Sequence, residues 1–125
     1  MKFIDLPQLG QPLEGGTFAG VITQQDGTHC AVVLLPNQPA TKLNWQAAMD
    51  WAASQDAVLP TRPVAALLFA NLKPLLAPRW HWASEAHEDD ASFAWYCYFT
   101  SGYQDYYHKS CEGSAVAVRF VKLEE

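Results

Sequence analysis

Hydrophobic and polar positions change period twice along the chain. Residues 16–23 and 30–35 are short apolar runs, and Asp26-Gly27 between them is a hairpin signal, so the first third predicts two antiparallel strands. Then the spacing lengthens. Trp45, Ala48, Met49 and Ala52 recur at i, i+3, i+4 and i+7, one face of a helix that Asn44 caps and that runs to about Gln55. Leu43 and Ala48 are placed as a hydrophobic staple across that cap. Thr61 caps a second helix with Pro63 in its first turn, where a missing N–H does little harm. Val64, Leu68 and Leu72 form its stripe, Leu67 and Leu75 widen it, and Pro74 and Pro78 stop it. No proline follows Pro78, which leaves the last third free to form a sheet. It predicts a short strand at 80–84, a polar loop at 85–92 and a strand at 93–99 that is bulky on both faces and therefore central. Turns at Ser101-Gly102 and Glu112-Gly113 then set off strands at 103–109 and 115–121.

The order strand–strand, helix–helix, then a meander of three or four strands is that of an α+β domain with helices segregated from the sheet. Pairing of the first strand with the last would bring the termini together. Residues 1–15, rich in Pro, Gly and Gln, read as an irregular lead-in, and 16–122 as one domain.

Composition narrows the function classes. A net charge of −5 with Lys and Arg scattered leaves no basic patch for phosphates, so nucleic acid is not an expected partner. No apolar stretch is long enough to span a bilayer. The start, Met1-Lys2-Phe3-Ile4-Asp5, meets an acid and then Pro7 before any signal-like run develops, which predicts retention in a cytoplasm or export only within a larger particle. Cys30, Cys97 and Cys111 are odd in number and lack CxxC spacing, so structural zinc is not expected; free thiols are, with a Cys97–Cys111 bridge as the alternative.

Ten of the sixteen aromatic residues fall between Arg79 and His108, which concentrates the candidate chemistry there. Tyr103-Gln104-Asp105-Tyr106-Tyr107-His108 follows a Ser-Gly turn, and Tyr, Ser and Gly are paratope residues: rigid contact area beside adaptable hydrogen bonds. A strand alternates, so Tyr106 and Tyr107 cannot both face inward. Tyr103, Tyr106, Tyr107 and His108, with His87 and Asp89 of the preceding loop, are the candidate binding residues; the competing role for the tyrosines is to clamp the sheet with their hydroxyls at its rim. Trp82 and Trp95 are expected in the core. Of Trp45 and Trp51, six positions apart, one is expected inside and the other exposed.

No catalytic residue, cofactor or metal is assigned. His87-Glu88-Asp89-Asp90 carries metal-ligating types but reads as a solvated turn. Ser84, Glu85 and His87 carry the types of a hydrolase triad, yet such triads are assembled from separated segments. Gly15-Gly16 has no Lys-Ser or Lys-Thr after it to make a phosphate loop.

The order of several short motifs resembles a known family. These are 16-GTFAGVI-22, 43-LNWQAA-48, 59-LPTR-62, 82-WASE-85, 94-AWY-96, 101-SGYQ-104 and 117-AVR-119. Together they resemble the bacterial and phage domains best known as the C-terminal domain of a collagen-like adhesin, over about residues 15–121. That resemblance implies a C-type-lectin-like fold, two helices flanking a twisted antiparallel sheet with adjacent termini. It implies binding rather than catalysis, and a stand-alone phage or prophage protein acting in the host cytoplasm or on the virion. The Glu-Pro-Asn, Gln-Pro-Asp and Trp-Asn-Asp tripeptides of calcium-dependent lectins are missing, so no family calcium site carries over. Cys97 and Cys111 invite comparison with formylglycine-generating enzymes of similar architecture, which are much longer. The expected function is recognition of a protein partner, a host protein or a receptor. Glycan binding is the alternative, and a homo-oligomer is a third arrangement to test.

Overall fold

The computed structural model describes residues 1–124. Pro12–Leu13 (β1), Gly16–Thr23 (β2), His29–Leu34 (β3) and Val118–Lys122 (β7) form one antiparallel sheet in the order β1-β2-β3-β7. Trp80–Ala86 (β4), Phe93–Tyr98 (β5) and Tyr103–His108 (β6) form a second, in the order β4-β5-β6. Helices Trp45–Ser54 (α1) and Arg62–Leu72 (α2) lie between β3 and β4 in sequence. The class is α+β.

Local chemistry accounts for the boundaries. Asp26 accepts from the Thr28 N–H at 2.8 Å and Gly27 takes φ +87°, which closes the β2–β3 hairpin. Asn44 accepts from Ala47 N–H at 2.9 Å and Thr61 from Val64 N–H at 3.3 Å, so both predicted caps form. The β2–β3 register shifts between Phe18 and Gly20, a bulge whose Ala19 carbonyl accepts from Asn71 of α2 at 2.7 Å. Gly20 at φ +135° passes so near Leu67 and Asn71 that a side chain there would crowd α2.

The core divides at β3. Val32 and Leu34 face the α2 stripe of Val64, Leu68 and Leu72, with Cys97, Phe99 and Val118. Val33 and Leu35 face Ala48 and Ala52 of α1, with Trp82, Ala94 and Tyr96. The α2 stripe is as its spacing predicts.

Four expectations are corrected. The last strand pairs with β3, not with the first long strand, in the register Ala31↔Val121 and Val33↔Arg119. The edge of β2 is already occupied: Glu14 and Gly15 take positive φ and turn β1 back onto it. Residues 1–15 are therefore not wholly irregular. The last strand also begins later than residue 115, because that run first crosses between the sheets, where Trp82 N–H donates to the Ser114 carbonyl and Leu35 N–H to that of Ala117. Finally, Trp45 and Trp51 are both half-buried against the same cluster rather than one in and one out. The termini do meet: Glu124 N–H donates to the Met1 carbonyl at 2.7 Å.

Candidate functional site

The β5–β6 ladder sets the site. Register pairs Phe93↔His108, Trp95↔Tyr106, Cys97↔Gln104 and Tyr98↔Tyr103 put alternate residues on opposite faces. Tyr103, Asp105 and Tyr107 share the face of Tyr96 and Tyr98. Gln104, Tyr106 and His108 share the face of Trp95, toward α2. The tyrosines of β6 stand in water: Tyr103 is 57% exposed, Tyr106 41% and Tyr107 40%, so neither face is closed over.

On the α2 side the rings form one cluster. Tyr106 lies 5.3 Å from Trp95 and 4.2 Å from His87, and Phe93 packs on Tyr106 and on His108. His87 stacks on Trp95 at 5.4 Å. The Arg62 guanidinium covers the indole at 3.5 Å from the ring centre. It is held from behind: Arg62 Nε donates to Gln104 Oε1 at 3.0 Å, while Gln104 Nε2 donates to the Arg62 carbonyl at 2.8 Å. The Arg62 backbone N–H donates to the Glu85 carboxylate, which thereby satisfies the first turn of α2. Trp95 Nε1 donates to Glu88 at 3.2 Å. Beside this cluster lies a shallow depression of about 530 Å³ lined by Arg62, Pro63, Ala66, Glu85, Gly102 and Gln104.

The other face carries a second set of rings. Tyr107 stacks on Tyr96 at 4.5 Å and meets Trp80 edge-on. Tyr103 donates to Asp105 at 2.8 Å. That bond holds the Tyr103 hydroxyl above its ordinary pKa, and burial followed by the bond to Tyr107 raises Tyr96.

The structure thus brings His87, Tyr106 and His108 to one face and puts Tyr103 and Tyr107 on the other; Asp89 is exposed on the β4–β5 loop. Among the described residues, His87, Glu88 and Asp89 place ligand-type atoms within 4.8 Å of one another. Two of these are engaged: His87 Nδ1 accepts from Asp89 N–H at 3.1 Å, and Glu88 accepts from Trp95. The loop's own backbone N–H groups lower the pKa of Glu88 and Asp90. Ser84, Glu85 and His87 make no triad, since Glu85 is on the end of α2 and His87 on Trp95. All three cysteines are free: Cys30 and Cys97 are buried and Cys111 is exposed.

One sequence expectation differs here. Trp82 is fully buried as expected, but Trp95 is half-buried in the surface cluster. In the sequence reading Arg62 and Gln104 appear only inside longer motifs, and Glu85 there and as a rejected triad member; none is named as a binding residue. For Trp95 a signal existed: a tight turn at Ser101-Gly102 sets it opposite Tyr106, so an exposed Tyr106 places Trp95 at the surface with it. No family model matches the chain, and no curated protein matches it. No helix among the described residues is long and apolar enough to cross a membrane.

Proposed function

We propose that the protein is a non-enzymatic recognition module of phage or prophage origin that grips a protein partner, a host protein or a receptor, with the α2-side face of β5 and β6. The observation that carries this reading is an exposed Tyr106 set against Trp95 and beside an immobilised Arg62. Tyr, Trp and Arg are the residues that dominate binding hot spots, because they offer large contact area with few free torsions. Here the torsions are already spent: Gln104 fixes Arg62, and Arg62 and His87 fix Trp95. The pair of helices, the antiparallel sheets and the adjoining termini agree with a C-type-lectin-like architecture, which supports binding without naming a ligand.

The test is affinity capture from a lysate of the bacterial host. The native chain should retain one protein in stoichiometric amount, and the double variant Tyr106→Ala/His87→Ala should lose it while keeping its melting temperature. Equal capture by the folded double variant would remove this face from the reading.

Glycan binding is the second reading, and it belongs to the opposite face. Tyr98 and Tyr103 are paired across the ladder and exposed, next to the Asp105 carboxylate, which offers an acceptor for sugar hydroxyls. A glycan array run with and without chelator tests it; signal abolished by Tyr103→Ala and indifferent to chelator is the expected result of that reading.

A further inference from the structure

A second concavity lies away from both aromatic faces. The loop after β3, the residue before β4 and the segment before β7 enclose about 210 Å³ lined by Gln38, Thr41, Lys42, Arg79 and Ser114, with Pro39, Ala40 and Ala115 completing the wall. Lys42 and Arg79 both line it and no acid does, in a chain whose net charge is −5. Among the described residues the ion pair is that of the Met1 amino group with Glu124, so neither Lys42 nor Arg79 is ion-paired there.

We propose that this pocket binds a tetrahedral oxyanion, a phosphoryl or sulfuryl group. Lys42 and Arg79 supply the charge; Thr41, Ser114 and Gln38 supply neutral donors. These donors arrive from three separate stretches of chain around the cavity. A planar carboxylate is matched by a single guanidinium fork, whereas an anion with oxygens in every direction uses donors spread in this way. Size agrees: drug-sized ligands occupy roughly 300–1,000 Å³, so this pocket admits a free inorganic anion or only the charged end of a larger molecule. The walls are anchored. Leu43 and Gly113 exchange backbone hydrogen bonds at 2.9 and 2.8 Å on one side, and Ser114 is bridged to β4 through Trp82 N–H on the other.

The test is a two-dimensional amide NMR titration with sodium phosphate, sodium sulfate, phenyl phosphate and sodium acetate at matched ionic strength. Phosphate and sulfate should give saturable shifts confined to residues 38–42, 79–80 and 114–115. Lys42→Ala and Arg79→Ala should each weaken phosphate about ten-fold, since each removes a charge-assisted bond. Lys122→Ala, a cation outside the pocket, should change it less than about two-fold on the same scale. Both cationic side chains of the pocket are on the outside of the fold, so the variants should keep the native melting temperature. Tighter binding of phenyl phosphate than of phosphate assigns the pocket to the end of a larger ligand; equal or weaker binding assigns it to the free anion. Shifts that fail to saturate and spread over every surface cation, acetate binding as tightly as phosphate, or unchanged affinity in Lys42→Ala/Arg79→Ala would overturn the proposal. The Tyr106→Ala/His87→Ala variant should titrate like the native chain, which separates this site from the recognition face.

Discussion

The Arg62 guanidinium sits over the Trp95 indole, 3.5 Å from the ring centre, while its Nε is tied to Gln104 on the neighbouring strand. Helix α2 is thereby pinned to β5 and β6 at its first residue. A cation–π contact of this kind contributes ~0.5–2 kcal/mol, rising as the pair leaves water. Arg62→Ala should lower the unfolding free energy by about 1 kcal/mol and shift tryptophan emission to the red as Trp95 is uncovered. Arg62→Lys should recover only part of the stability, because an ammonium cannot stack and bond Gln104 at once. An unchanged urea midpoint in Arg62→Ala would show that the stack is ornamental.

His81 gives the fold a sensitivity to acid. It is 1% exposed and packed on Phe99, its Nδ1 bonds the Arg79 carbonyl, and its Nε2 has no partner. Burial, with a smaller push from the Arg79 charge, lowers its pKa from 6.5 to about 4. Between those values the unfolded chain holds a proton that the folded chain refuses, so stability falls as pH drops through this window and levels off below about 4. The span corresponds to on the order of 3 kcal/mol. His81→Phe should flatten the unfolding free energy between pH 4 and 6.5, measured by denaturant titration. A slope identical to that of the native chain would place the acid sensitivity elsewhere.

Gly113 has no room for a side chain. A Cβ there would come within 2.3 Å of the Trp80 ring, and Gly113 exchanges backbone hydrogen bonds with Leu43, so neither side can yield freely. Gly113→Ala should destabilise by about 1–3 kcal/mol, the usual range for overpacking. Combining it with Trp80→Leu should return part of the loss, and a double-mutant cycle reads that coupling. Strict additivity would mean that the ring is not what Gly113 accommodates.

The three thiols should separate cleanly. Cys111 is exposed, whereas Cys30 and Cys97 are buried and burial raises the Cys97 pKa, which withholds the reactive thiolate. A chromogenic disulfide reagent should titrate one thiol at once in the native protein and all three in denaturant. Prompt reaction of a second thiol under native conditions would contradict the packing around β3 or β5.

Much of the scaffold was legible, and for identifiable reasons. Asn44, Thr61 and Pro63 act within a single helical turn, and the stripe Val64, Leu68, Leu72 repeats with the helix, so local rules suffice for α1 and α2. Strand pairing does not follow local rules. The partner of β7 depended on whether the edge of β2 was free, and that turned on Glu14 adopting φ +47°, a conformation its residue type seldom signals. The candidate site failed in a similar way. Tyr103, Tyr106 and Tyr107 were found as exposed rings, but Arg62 is 33 positions from Trp95, and nothing near either residue announces their contact. The division of the tyrosines between two faces was readable from alternation alone.

That division yields the sharpest test of the recognition face. Tyr106 and Tyr107 are neighbours in sequence, nearly equal in exposure and equal in chemistry, yet one meets Trp95 and His87 while the other meets Tyr96 and Trp80. If the partner is gripped on the α2 side, Tyr106→Ala should weaken binding by about 2 kcal/mol, the size of a hot-spot residue, or some thirty-fold. Tyr107→Ala should leave affinity within about two-fold and act on stability instead, through the lost stack with Tyr96. Surface plasmon resonance with the captured partner measures the first effect and thermal unfolding the second. The reverse pattern, affinity lost in Tyr107→Ala and kept in Tyr106→Ala, would move the interface to the opposite face of the sheet, where Tyr98, Tyr103 and Asp105 stand.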